Sequence, residues 1–387
     1  MDFKLTDEQE LLLESVDQFI DQCIEKGYNE DYWRKTWEEN RYPTEYFKEL
    51  MDSGLGLLGV PEQFGGSQVD LVTMCLVDER FSSRGFYSAI ETAMQIDDMV
   101  AFGSPEHIEL VSNQIMTGKG GFSLGFTEPG AGSDSNAMTT TATRKSDGTV
   151  VLNGSKCFVT NADVSEYLLI VCREAEPEDP KYWTSMYFVH KDTKGVSLTP
   201  MHKLGQKAGG SLCEVRLDDV VVPESSLVGT RGHGFVQLMK NFEIERLTAS
   251  CRAMGMAQNA MNIAAAYAGE RIAFGQPIGN FQLIQELLVE NEIMIQNMRN
   301  MIFKAAWEKD NGISIRTAAS LVKYYCARSS FTVIDNCMQI MGGLGYTDEC
   351  PIARLWRDVR VYRIGGGTDQ IQIHIAGRQL VKKYKRK

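Results

Sequence analysis

After Pro223 the chain runs to Pro277 without a proline, and from there to Pro351 without another. A proline inside a helix removes a backbone hydrogen bond and clashes with the preceding turn, so such gaps leave room for long helices. The sequence between is rich in Ala, Met, Leu, Glu and Lys, all good helix formers. Long helices are therefore expected over Gly234–Ala273, Phe281–Lys309 and Ile315–Met341, antiparallel where the loops are short. The chain's beginning also reads as helical. Thr6-Asp7-Glu8-Gln9 has capping-box spacing, and Leu12, Val16, Phe19 and Ile20 follow on one face. Helical patterning continues through Tyr46–Met51 and Val69–Phe81, with breaks at Pro43, Pro61 and Pro105; Pro61–Gly66 reads as a loop before a helix.

Between these blocks the period changes. Val150–Leu152, Tyr167–Val171, Ser185–Val189 and Cys213–Val222 are β-branched or alternating runs bounded by Gly, Asn, Asp and Pro. Cys213, Val215 and Leu217 alternate with Glu214, Arg216 and Asp218, which predicts a strand with one wet face. Glu174–Pro180 reads as an acidic hairpin tip. No internal repeat is visible. The expected fold is α+β and multidomain. Residues 1–120 form an all-helical domain, 121–230 a small β-barrel or sandwich, and 231–387 a four-helix bundle.

With 387 residues, 43% of them hydrophobic, the chain can bury a large core. A net charge of −11 argues against nucleic acid or an anionic membrane as the main partner; the basic tail Lys382–Lys387 reads as a solvated end. The nine cysteines contain no Cys-x-x-Cys pair and read as reduced thiols, and the five histidines share no ligand spacing, so no metal is expected. No apolar run approaches 18 residues, and Met1 leads straight into a polar helix start. Neither a membrane span nor a leader is expected, and the protein reads as soluble and intracellular.

Four stretches could carry chemistry. Phe126-Thr-Glu-Pro-Gly-Ala-Gly-Ser-Asp134 cannot be a regular element; its glycines leave backbone N–H groups open to a ligand, and Thr127 and Ser133 add hydroxyls. Alone, it would pass for a turn. Asn153–Asn161 is a strand with Phe158 and Thr160 two apart on one face, a pair suited to stacking and hydrogen-bonding a flat ring, though alone it would be an ordinary strand. In Arg271-Ile-Ala-Phe-Gly-Gln-Pro-Ile-Gly279, a cation and an aromatic end a long helix; the arginine suits either the helix dipole or a pyrophosphate. Gly342-Gly343 and Gly365-Gly-Gly-Thr-Asp-Gln370 leave room for a ligand near a helix start.

Together these stretches resemble the acyl-CoA dehydrogenases over essentially the whole length. The signatures are Phe126–Asp134, Arg271-x-x-Phe274-Gly275-x-x-Ile278, Gln339-Ile-Met-Gly-Gly-x-Gly345 and Gly367-Thr-x-Gln-Ile-Gln372. The resemblance implies FAD bound between the β-domain and the C-terminal bundle, in a homotetramer built as a dimer of dimers. It implies that Phe126, Thr127, Gly132, Ser133, Phe158 and Thr160 line the flavin ring and ribityl chain. Arg271, Phe274, Gln282, Gln339 and Gly343 would reach the adenine and pyrophosphate of a neighbouring subunit's FAD, and Thr368 and Gln370 would touch FAD within the subunit. Many members have Trp where this chain has Phe158, which keeps stacking but removes an N–H donor.

The chain departs from the family at the base. Most members read Glu-Gly-Thr where this chain has Gly366-Gly367-Thr368. A minority resembling isovaleryl- and long-chain-type dehydrogenases place the glutamate just before an arginine in the first long C-terminal helix, and Glu245 of Phe242-Glu-Ile-Glu-Arg246 falls there. Leu238, Phe242, Glu245 and Ala249 recur at i, i+4, i+7 and i+11, so Glu245 is expected on an apolar stripe, where desolvation would raise its pKa toward that of a general base. The structural alternative is an ion pair with Arg246 or Lys240. By resemblance, substrate contacts fall on Ser133, Phe242, Glu243, Arg246, Gly366 and Gly367. Arg363–Gln370 and the opening residues look most like the crotonobetainyl-CoA reductase branch, bacterial enzymes that reduce a 2-enoyl-CoA with electrons from an electron-transfer flavoprotein. That implies a cytoplasmic bacterial protein. The alternatives are a degradative short- or branched-chain dehydrogenase and a non-catalytic flavin-binding partner subunit.

Overall fold

The computed structural model describes residues 4–205 and 210–385. Residues 1–3 and 386–387, where part of the leader and basic-tail readings falls, lie outside the described residues. Helices α1 (Asp7–Glu25), α2 (Glu30–Glu38), α3 (Thr44–Asp52), α4 (Leu71–Ser83), α5 (Ile90–Phe102) and α6 (Pro105–Ile115) come first. Strands β1 (Ser123–Gly125), β2 (Thr141–Arg144), β3 (Thr149–Thr160), β4 (Tyr167–Glu174), β5 (Thr184–His190), β6 (Val196–Met201), β7 (Leu212–Pro223) and β8 (Leu227–Val228) follow. Helix α7 (Gly234–Glu270) then leads through a hairpin of β9 (Ile272–Ala273) and β10 (Gln276–Pro277) to α8 (Gln282–Asp310). The chain ends with α9 (Arg316–Met341), α10 (Pro351–Val359) and α11 (Asp369–Tyr384).

The chain divides into two compact units. One comprises Met1–Glu30, Val69–Ser88 and Phe242–Lys387, the other Asp31–Gln68 and Ala89–Asn241. In the first unit α1 starts as its sequence requires: the Thr6 hydroxyl accepts the Gln9 N–H, and the Gln9 side chain accepts the Thr6 N–H. Helix α4 is capped twice. Asp70 accepts the Thr73 N–H, and the Asp310 carboxylate, from the end of α8, accepts the N–H groups of Leu71 and Val72 at 2.9 and 3.0 Å. Leu247, Cys251 and Met254 of α7, Ile295, Met298 and Ile302 of α8, and Val322, Val333 and Ile334 of α9 are buried.

In the second unit the strands form a sheet in the order β6-β7-β3-β2-β4-β5-β8, with β1 parallel to β4. Val150, Leu152 and Val159 of β3, Cys213, Val215 and Leu217 of β7, and Ile170, Tyr187 and Val189 of β4 and β5 share one core. The expected alternation in β7 is present, with Glu214, Arg216 and Asp218 exposed. Short β1 and β2 carry too few apolar residues to show as strands in sequence. One expectation is corrected: Glu174 does not stand at a wet hairpin tip. It ends β4 buried, holding Arg231 at 2.9 Å and accepting the Tyr187 hydroxyl at 2.8 Å. A charge buried this deeply needs such partners.

Candidate functional site

In the β-containing unit, the loop Phe126–Asp134 is fixed from beneath by its own glutamate. Glu128 accepts the N–H groups of Thr139 and Thr140 and the Thr139 hydroxyl at 2.7–2.9 Å. Its other tie is Lys156 of β3, whose ammonium lies 2.7 Å away and also donates to the Phe126 carbonyl at 3.2 Å. Burial would push the Glu128 carboxyl up, but hydrogen bonds from Lys156, Thr140 and Thr139 outweigh it and hold it at about 2. Above this anchor, Phe126 stacks on Phe235 at 6.2 Å, while Gly132 and Ser133 stand exposed.

Strand β3 binds the same loop, the Cys157 N–H donating to the Thr127 carbonyl at 2.8 Å. Its pairing with β7 slips between Lys156 and Val159, and Phe158 sits in that bulge with φ +57°. A bulge re-aims a side chain. The result is an aromatic ring 57% exposed, in backbone that non-glycine residues seldom adopt, with exposed Thr160 two residues on. An exposed ring held at such a cost suits an apolar, flat partner. The strand's glycine is also required: at Gly154, φ +146°, a Cβ would meet Thr140 Oγ1 at 2.5 Å.

In the helical unit, Glu245 of α7 is half-buried. This corrects the apolar-stripe reading in part: Leu238 is buried, but Phe242, Glu245 and Ala249 are all partly exposed, and the buried face runs one to two residues later, through Leu247, Ser250 and Cys251. Its carboxylate nevertheless reaches the triple-glycine turn. A Cβ at Gly366 would lie 3.5 Å from Glu245 Oε1. Gly366 and Gly367 take φ of +62° and +88°, values that glycine adopts without strain. Their N–H groups meet no partner among the described residues. Arg246 is buried, its Nε without a partner among the described residues. Burial lowers its pKa, opposed by the charges of Glu245 and Glu243 and aided by Arg316. Phe242 and Glu243 are partly exposed on the same turns of helix.

Two residues hold this turn: Lys323, which the sequence reading missed, and Gln372, which closes a signature but was given no role there. Lys323 of α9, only 2% exposed, donates to the carbonyls of Gly365 and Gly367 at 2.5 and 2.8 Å. Buried Gln372 of α11 donates to the carbonyls of Gly366 and Gly367 at 3.1 and 3.0 Å. Burial lowers the Lys323 ammonium to about 8, against the pull of Glu245 and Asp369. Thr368 caps α11, accepting the Ile371 N–H, and Gln370 is exposed on its first turn.

The remaining predicted residues lie on the surface of the same unit. Helix α7 stops at Glu270, so Phe274 does not end the helix; it stands at the tip of the β9–β10 hairpin with φ +50° and is 95% exposed. The last helical bond runs from the Arg271 N–H to the Tyr267 carbonyl, and Gly275 then turns the β9–β10 hairpin at φ +80°, a value open to glycine. Arg271, Gln282, Gln339 and Gly343 are all exposed. Among the described residues, no cluster of three His, Cys, Asp or Glu could hold a metal ion, and no helix is long and apolar enough to cross a membrane.

Comparison with known proteins places the chain in a family. Residues 6–119, 123–220 and 232–381 match the N-terminal, middle and C-terminal domain models of acyl-CoA dehydrogenase. The chain belongs to the acyl-CoA dehydrogenase family, oxidoreductases acting on a carbon–carbon bond of acyl-CoA. It is 47% identical to "Probable acyl-CoA dehydrogenase YdiO" of Escherichia coli K12, with 100% of both chains covered. Among solved structures, butyryl-CoA dehydrogenase from Megasphaera elsdenii superposes with a TM-score of 0.88 at 27% identity, covering 98% of this chain and 100% of that one. A probable acyl-CoA dehydrogenase from Mycobacterium abscessus gives 0.88 at 28%, covering 97% and 99%. The FAD complex of PigA, at 24% identity and 0.88, shares the fold.

Proposed function

We propose that this chain works on the Cα–Cβ bond of an acyl-CoA thioester, with Glu245 moving the α-proton. The observation that carries this reading is the approach of Glu245 Oε1 to within 3.5 Å of the missing Gly366 side chain. Where other members carry a carboxylate on the backbone at that position, this chain brings one from α7. A half-buried carboxylate beside a fixed turn has the reach and exposure a general base requires. The unpartnered N–H groups of Gly366 and Gly367 are donors for the thioester oxygen, where negative charge grows as the α-proton leaves. Ser133, Phe242, Glu243 and Arg246 would hold the acyl-CoA.

FAD is the cofactor of this reading, and the exposed Phe158 ring and Thr160 hydroxyl fit it. Phe126, Thr127, Gly132, Ser133, Phe158 and Thr160 would hold its ring and ribityl chain; Thr368 and Gln370 match family positions that touch FAD. When bound, the flavin exchanges a hydride with the β-carbon. Arg271, Phe274, Gln282, Gln339 and Gly343 would serve a neighbouring subunit's FAD in a homotetramer. Their exposure, and that of the Phe274 ring above all, supports this.

The physiological direction we assign is reduction of a 2-enoyl-CoA of crotonobetainyl type, protonated Glu245 supplying the α-proton and an electron-transfer flavoprotein the electrons. The support is the likeness of Arg363–Gln370 to that branch. A second reading, oxidation of a short or branched acyl-CoA, is favoured by the dehydrogenase name of the relative that is 47% identical. Anaerobic flavin spectroscopy separates them. The oxidised protein is mixed with saturated acyl-CoAs and the reduced protein with 2-enoyl-CoAs. Rapid reoxidation by an enoyl-CoA, with slow bleaching by every saturated thioester, supports reduction; the reverse pattern supports oxidation. Flavin binding without response to any thioester overturns both.

A further inference from the structure

Lys323 is a buried cation with no part in the motifs above. It lies on the face of α9 formed with Ala319, Cys326 and Ser330, all buried. An ammonium so enclosed is costly unless it is hydrogen-bonded and faces opposite charge. Its hydrogen bonds to Gly365 and Gly367 straddle Gly366. A Cβ at Gly366 would lie 3.9 Å from Lys323 Nζ and 3.5 Å from Glu245 Oε1, so ammonium and carboxylate converge on the same point from α9 and α7.

We propose that Lys323 is a positioning residue for Glu245: its ammonium clamps the triple-glycine turn and supplies the fixed positive charge beside that carboxylate. The clamp does mechanical work. Three successive glycines have more backbone freedom than any other tripeptide, yet the N–H groups of Gly366 and Gly367 must point at a substrate. Two carbonyls tied to one buried ammonium, with Gln372 on the carbonyls of Gly366 and Gly367, hold that orientation. The charge does electrostatic work. Glu245 is half-buried, and a cation fixed beside a carboxylate favours its charged form. The groups facing Lys323 are Glu245 and Arg246 from α7 and Asp369 from α11; Arg246 in turn faces Glu243 and Arg316. Lys323 titrates at about 8, so the charge is present through neutral pH and fades above it.

This inference rests on Glu245 as the proton-transfer group, and the test separates the two. The carboxyl carbon of Glu245 is followed by 13C NMR in flavin-loaded protein with labelled glutamate, its signal assigned by its loss in E245Q. The acid limb of kcat/KM is measured alongside for oxidation of an acyl-CoA, the direction in which Glu245 must be ionised. In K323M both the titration and the acid limb are expected to move up by about one pH unit or more, the size of effect an adjacent charge exerts. K323R, which keeps the charge, is expected to leave both near wild type while lowering kcat through the altered clamp. Should K323M not fold, K323Q keeps an amide donor for the carbonyls and carries the same comparison. A lowered kcat in the neutral variants with both titrations unmoved overturns the electrostatic role. If E245Q remains active, Glu245 is not the base, yet its NMR titration still reports whether Lys323 governs its charge.

Discussion

Lys156 Nζ and Glu128 Oε1 stand 2.7 Å apart, and neither side chain has more than 2% of its surface in contact with water. This pair, not the glycines, fixes the loop that carries Thr127 and Ser133. Breaking a buried ion pair strands the surviving charge, which costs about 3–5 kcal/mol. E128A is therefore expected to lower unfolding free energy by that amount in denaturant titration and to weaken flavin retention. A loss within 1 kcal/mol would show that the loop is held by other means.

The same carboxylate sets an acid limit. Its pKa is held at about 2 in the folded chain against an ordinary value of 4.5. A depressed carboxyl contributes stability that is fully present above the unfolded value and is lost as pH falls through the folded one. Thermal denaturation between pH 4.5 and about 2 should therefore show stability falling with pH, and E128Q should flatten this part of the profile.

Phe158 gives the converse separation. Because its ring is 57% exposed, F158A removes little buried contact and is expected to change stability by no more than about 0.5 kcal/mol. Loss of stacking should weaken FAD by about 0.5–1.5 kcal/mol, roughly two- to tenfold, by equilibrium dialysis of the apoprotein. F158W should bind at least as tightly as the native protein. Unchanged affinity in F158A would remove this residue from the flavin site.

Much of this was legible in sequence, and the limits have physical causes. Proline gaps marked α7, α8 and α9 to within a few residues because helices tolerate so few other breakers. The alternation in β7 was visible because one face is wet. The bulge at Phe158 was not, since the slip depends on β7 and not on β3 alone. Lys323 lies 42 residues from Gly365, so no local spacing joins them. Yet Ala319, Lys323, Cys326 and Ser330 recur at i, i+4, i+7 and i+11, the same test that singled out Glu245. A charge on a stripe of small residues was the available signal. Glu128 lay inside the recognised loop, but its partner was 28 residues away.

If the proposed homotetramer forms, Phe274, 95% exposed at the hairpin tip, should matter only within it. F274D is expected to leave monomer stability unchanged within about 0.5 kcal/mol and to shift sedimentation from tetramer toward smaller species with loss of FAD. A flavin-loaded F274D tetramer would show that this ring serves no neighbouring subunit.

The central claim is that Glu245, placed beside Gly366, carries the α-proton. The most direct measurement is the single-turnover flavin reaction of E245Q with the thioester the native enzyme uses, with E243Q as control. A positioned general base contributes roughly 100- to 10,000-fold. E245Q should bind FAD and thioester normally and lose rate by that factor, while E243Q stays within about tenfold of the native rate. A near-native rate in E245Q would contradict the assignment and move the search to another group.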